Sequence, residues 1–135
     1  LQNATFAYGA WSMARAMSRA GQPVYLYLLT WSDAGRRARL GACHGEELDF
    51  LSDSYPDDWV PVAGEKTFGE ILRRYWIHFA NSGQPGAPGL PSWPAYDSSS
   101  DQLLELGTDI QPRPAWTSLS AIQKLMQPIL GQDGI

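Results

Sequence analysis

The sequence predicts an α/β fold on three observations. Val24 to Trp31 is apolar at consecutive positions and rich in β-branched and aromatic residues. That is the pattern of a strand covered on both faces, as in the interior of a parallel sheet. Helical periodicity stands on either side of this run, over residues 5–20 and again from Thr67 to Phe79. A second short apolar segment, Leu103-Leu104-Glu105-Leu106, reads as a short edge strand.

Taken in order, the first helix has Thr5 as its N-cap, and Phe6, Ala10, Met13 and Met17 recur at steps of four, three and four. Gly21 stops it just before Pro23. The strand that follows needs neighbours and two covering layers. A loop then carries Asp33-Ala34-Gly35 and the basic run Arg36-Arg37-Ala38-Arg39. Between Glu46 and Asp58 the acids Glu46, Glu47, Asp49, Asp53, Asp57 and Asp58 have no base among them, and both charge runs read as solvated surface. The clearest helix is expected to begin at Thr67, where Thr67-Phe68-Gly69-Glu70 spells a capping box. Phe68, Ile71, Leu72, Tyr75, Trp76 and Phe79 form its core-facing stripe, and Asn81-Ser82-Gly83 ends it. Residues 84–101 hold Pro85, Pro88, Pro91 and Pro94 among glycines and serines and read as an irregular surface crossing. Residues 107–135 read as a looser helical tail. In it Pro114 opens a final helix with Trp116, Leu119, Ile122, Leu125 and Met126 on one side, until Pro128 disturbs it.

Composition narrows the function classes. A net charge of −4 argues against a nucleic-acid partner or an anionic membrane surface. Six tryptophans and 12% aromatic residues argue against disorder. The longest apolar run, Val24 to Leu29, is far shorter than the roughly 20 residues of a membrane span. Cys43 is the one cysteine, which excludes an internal disulfide and any zinc site built on several thiolates, and is compatible with a reducing compartment. The sequence opens at Leu1 rather than Met, so it is expected to lack its true N-terminus, and localisation is not legible.

His44 is the leading candidate for chemistry. Gly41 and Gly45 frame it in a loop downstream of the apolar strand, and open α/β sheets collect their catalytic groups just beyond the carboxyl ends of strands. A metal site of His44, Glu46, Glu47 and Asp49 lacks both the paired histidines of zinc motifs and the alternating ligands of calcium loops. Ala10-Trp11-Ser12-Met13-Ala14 imitates a nucleophile elbow, and Ser12, Asp33 and His44 fall in hydrolase order, yet Ser12 lies inside a helical pattern. Cys43 reads as a small packing residue and His78 as a helix-surface residue.

The order of motifs carries a resemblance. The strand Pro23-Val24-Tyr25-Leu26-Tyr27 is followed by Gly41-Ala42-Cys43-His44-Gly45-Glu46-Glu47-Leu48-Asp49-Phe50. Then come Tyr75-Trp76-Ile77-His78-Phe79-Ala80-Asn81-Ser82-Gly83-Gln84-Pro85 and Trp93-Pro94-Ala95-Tyr96. This succession resembles the C-terminal portion of a type-B carboxylesterase of the carboxylesterase/cholinesterase group. The resemblance covers residues 1–106, with a looser tail after it. It implies the C-terminal part of an α/β-hydrolase fold, with all of residues 1–135 belonging to one larger domain. In that frame His44 matches the catalytic-triad histidine, Glu47 and Gly45 support its loop, and Cys43 is a candidate for lining the pocket. The implied parent hydrolyses small carboxylic esters through an acyl-serine intermediate, with no metal or organic cofactor. Its nucleophile, acid and oxyanion loop lie upstream of Leu1, so the chain alone is expected to be inactive and to need that upstream part as its partner. The alternative is a non-enzymatic, esterase-like adhesion or interaction module. Alone, the apolar strand has an open edge, and self-association is expected.

Overall fold

The computed structural model describes residues 6–32, 42, 44–55 and 60–115. The order of elements is α1 (Tyr8–Arg19), β1 (Tyr27–Leu29), α2 (Glu47–Ser52), α3 (Ala63–Ser82), β2 (Gln102–Leu106) and β3 (Gln111–Pro114). Helices and strands are therefore mixed, as an α/β chain requires. The strands form one sheet in the order β1-β2-β3, so the Leu103–Leu106 segment, expected at an edge, is the middle strand, because β3 folds back on its other side. Leu104 N–H donates to Leu26 O and Thr30 N–H to Leu106 O, so β1 and β2 advance together and run parallel. The link from β2 to β3 is too short for a crossover, and Ala115 N–H returns to Asp101 O at 2.6 Å, so this pair is antiparallel. Among the described residues no helix is long and apolar enough to cross a membrane.

The chain divides into two compact units. Of the described residues, one holds 6–27, 94–104 and 112–115, and the other 28–32, 42, 44–55, 60–93 and 105–111. In the first, α1 ends as the sequence pattern expects. Gly21 takes φ +70, its N–H reaches Ser18 O, and Gln22 N–H reaches Met17 O. This pair of bonds closes the last turn with a left-handed residue that only glycine adopts without strain. The buried face of α1 is not the predicted one. Trp11 and Ala14 are buried, whereas Phe6 and Met13 are 58% and 65% exposed. Trp11 is drawn inward because its indole Nε1 donates to Asp101 Oδ1 at 2.8 Å, a partner 90 residues away. Tyr96 OH donates to the same oxygen, and Arg15 lies 4.8 Å over the Trp11 ring. Asp101 sits at the end of a turn whose Asp97 carboxylate accepts both the Ser99 hydroxyl and the Ser99 N–H at 2.6 Å. Those bonds hold Asp97 below the usual carboxylate range.

The second unit is built on α3, which covers 20 residues and begins four positions before Thr67. Glu65, almost fully buried, turns its carboxylate back to accept Val62 N–H at 3.0 Å. This satisfies one of the orphan donors of the first turn and places a negative charge at the positive end of the helix. Thr67 is thus an interior residue whose hydroxyl donates to Ala63 O at 3.1 Å. Phe68, Leu72 and Tyr75 of the predicted stripe are buried, while Phe79 at its end is 48% exposed. Phe50 meets Phe68 edge to face at 5.0 Å, Trp31 stacks on Phe68 at 4.4 Å, and Tyr75 meets Trp93 edge to face at 5.4 Å.

Three further expectations are corrected. The strand predicted over Val24–Trp31 is confined to Tyr27–Leu29, and its residues are half-buried rather than covered on both faces. Residues 84–101 carry no helix or strand, yet Pro85, Trp93 and Tyr96 are buried, so the segment is no simple surface crossing. Pro85 and Trp93 belong to the α3 unit, and the aromatic ring of Trp93 supplies the apolar area that draws its segment inward. Pro114 ends β3 instead of opening a helix, because the hairpin partner Asp101 claims the next residue's amide. The helix expected beyond it, with Thr5, Arg36 to Arg39, Asp57 and Asp58, lies outside the described residues.

Candidate functional site

His44 is exposed and opens the turn 44–46 that runs directly into α2. Gly45 has φ +79, a conformation that costs any residue with a Cβ about 1–2 kcal/mol. Among the described residues no atom lies within 4 Å of the place where its Cβ would stand, so the backbone angle is what calls for glycine there. Leu48 N–H then donates to Gly45 O at 3.0 Å, locking the turn onto the first residues of α2. Glu47 is the first residue of that helix, and with Asp49 it puts negative charge on the first turn, where the helix dipole favours it. Cys43 lies outside the described residues.

A helix of six residues does not hold itself together in water, so α2 depends on what it packs against. Its anchor is Phe50, fully buried between Phe68 of α3 and the Tyr55 ring at 6.4 Å. Arg73 of α3 adds a bond from Nη1 to Phe50 O at 2.6 Å and an ion pair with Asp53 at 3.5 Å. Asp53, one of the run of acids read as solvated surface, is therefore half of a cross-helix link. Arg73 is the residue that sequence reasoning missed. Its acceptor is a backbone carbonyl 23 positions away, and no spacing rule reports that.

The other candidates separate cleanly. Ser12 lies in the middle of α1, not on a strand-to-helix turn, and Asp33 lies outside the described residues. His78 is tied into the end of its own helix. Its Nδ1 meets Gln84 O at 2.7 Å, and since a carbonyl only accepts, Nδ1 carries the proton. Ser82 Oγ donates to His78 O at 2.7 Å in the same cap. Among the described residues no group of three or more His, Cys, Asp or Glu is placed to hold a metal ion.

A glycine-permitted bend leaves the ring exposed, and a short helix pinned by a buried phenylalanine and an arginine follows it directly. Such an imidazole can accept and return a proton if a hydroxyl is brought to it.

Comparison with known proteins agrees with the motif order. The model of the carboxylesterase family matches residues 1–124. Carboxylesterase 4A of Bos taurus is 33% identical over 112 residues, covering 80% of this chain and 20% of that protein. The chain thus spans about a fifth of the length of the curated relative it matches. A match over nearly the whole sequence, joined to a mixed helix-and-strand fold, makes the chain a member of the carboxylesterase family.

Proposed function

We propose that the chain is the C-terminal part of an α/β-hydrolase ester hydrolase and that His44 is the histidine of its Ser-His-acid triad. One observation carries the reading. In a chain of the carboxylesterase family, an exposed imidazole stands on a positive-φ glycine turn at the start of a pinned helix. In this mechanism His44 Nε2 removes the proton from the serine hydroxyl as the oxygen attacks the ester carbonyl. It returns that proton to the departing alcohol, leaving an acyl-serine. Water then gives its proton to the same nitrogen, attacks the acyl group, and releases the carboxylic acid and the free serine. An acid on Nδ1 orients the ring. Serine, acid and oxyanion donors belong to the part of the domain that this chain does not span, and Glu47 and Gly45 support the histidine loop. The substrate class is a small carboxylic ester, and the chemistry draws on no metal or organic cofactor.

The test uses the full-length gene product. His44→Ala lowers kcat for p-nitrophenyl esters by at least about 10³-fold with KM little changed. Retention of kcat within about tenfold rejects the role, because a general base contributes about 10²–10⁴-fold. The 135-residue chain alone hydrolyses no ester above the buffer rate. Robust hydrolysis by it, abolished by His44→Ala, sinks the fragment reading.

A further inference from the structure

The bend at Gly45 carries the chain from His44 directly into α2. The six residues of α2 rest on contacts made toward its C-terminal end. At that end the amides of Asp53 and Ser54 both donate to Asp49 O. Phe50 O, on a fully buried residue, takes its donor from α3 instead, the Arg73 guanidinium at 2.6 Å. A charge-assisted bond of this length is stronger than a neutral one. The accompanying pair with Asp53 is a lesser matter, since the Asp53 side chain is 62% exposed and such pairs contribute little.

Gly69 gives an independent sign that this junction is built closely. It lies inside α3, where glycine is a poor helix former. A Cβ there would stand 3.2 Å from Arg73 Nη1 and 3.3 Å from Phe50 O. Glycine leaves this spot open, whereas a Cβ would crowd both the guanidinium and the carbonyl by a few tenths of an ångström.

We propose that Arg73 is a positioning residue for His44. By holding the C-terminal end of α2 to α3, across the notch left by Gly69, it sets the orientation in which the His44 turn presents its imidazole. This inference rests on the reading of His44 as the triad base, and its first test is independent of that reading.

The chain contains two histidines, so its imidazole spectrum has an internal reference. His44→Ala assigns the two ring signals, and His78, capping the far end of α3, serves as the control. Arg73→Met is expected to shift and broaden the His44 signal and to speed amide exchange over residues 47–52 about tenfold, leaving His78 unchanged. Gly69→Ala is expected to do the same while keeping the charge, and alanine strengthens the helix, so unfolding does not mimic it. Arg73→Lys, which retains a cationic donor, is expected to restore much of the His44 signal. Unchanged His44 and α2 in both variants overturns the proposal, as does an equal disturbance of His78, which marks general loosening. In the full-length gene product Arg73→Met is expected to lower kcat about tenfold with KM retained. If His44→Ala leaves that enzyme active, the triad reading fails, while the spectra still decide whether Arg73 orients His44.

Discussion

Asp101 concentrates two buried donors on one oxygen, Trp11 Nε1 and Tyr96 OH, from a backbone held at φ +49. Removing the acceptor takes from both buried donors their shared partner, each loss costing about 1–2 kcal/mol. Asp101→Ala is therefore expected to destabilise the chain by about 2–4 kcal/mol in urea titration, against about 1 kcal/mol for Tyr96→Phe. The same cluster sets an alkaline limit. Burial, then the hydrogen bond and charge of Asp101, push the Tyr96 phenol from 10.0 up to about 12, with Arg15 opposing. Burial does the same to Tyr75, up to about 12, with Arg74 opposing. Both folded values lie above the unfolded one, so the folded chain holds these protons more tightly. Their contribution is complete below about pH 10 and is lost as pH rises through about 12. The urea midpoint should hold below pH 10 and fall above it; a midpoint flat up to pH 12 contradicts this account.

At the scale of elements, α3 shows how a cap is chosen. Thr67-Phe68-Gly69-Glu70 has the right letters, but the helix starts where Glu65 reaches Val62 N–H. Valine contributes no acceptor, so half of the capping box does the work from inside the helix. Glu65→Ala is expected to cost about 1–2 kcal/mol, because it removes the acceptor of an N-terminal amide. Thr67→Ala should cost no more than about 0.5 kcal/mol, since its hydroxyl only bonds back along the helix. The reverse ranking by chemical unfolding would restore the start at Thr67. The end of α3 was readable because Gly83 takes φ +74 and its N–H closes on Phe79 O at 2.7 Å, a local device with a local signature.

For the molecule as a whole, β1 has β2 on one side and no other strand beside it among the described residues. The ladder that aims Thr30 N–H at Leu106 turns the Leu29 N–H the other way. A strand edge of this kind templates pairing with another chain. The isolated chain is expected to sediment as more than a monomer as concentration rises, and Leu29→Pro to reduce that association by removing an outward donor. A monomer at every concentration would refute the edge as a contact. The exposed Phe6 and Met13 of α1 add apolar surface, and Met13→Glu tests their share.

Short-range signals in the sequence determined where α1 and α3 lie and where they stop, because periodicity and a terminal glycine act within a turn or two. They also singled out His44, since a histidine between glycines declares an exposed bend through backbone chemistry alone. The parallel pairing of β1 with β2 was foreshadowed by the apolar run, although the strand proved shorter and less covered. Tertiary structure alone decided which face of α1 is buried, where α3 begins, that Pro114 closes a hairpin, and that Arg73 holds the helix behind His44. The reason is distance along the chain. Trp11 finds Asp101 after 90 residues and Arg73 finds Phe50 O after 23, and a polar partner that arrives only on folding outweighs the local pattern.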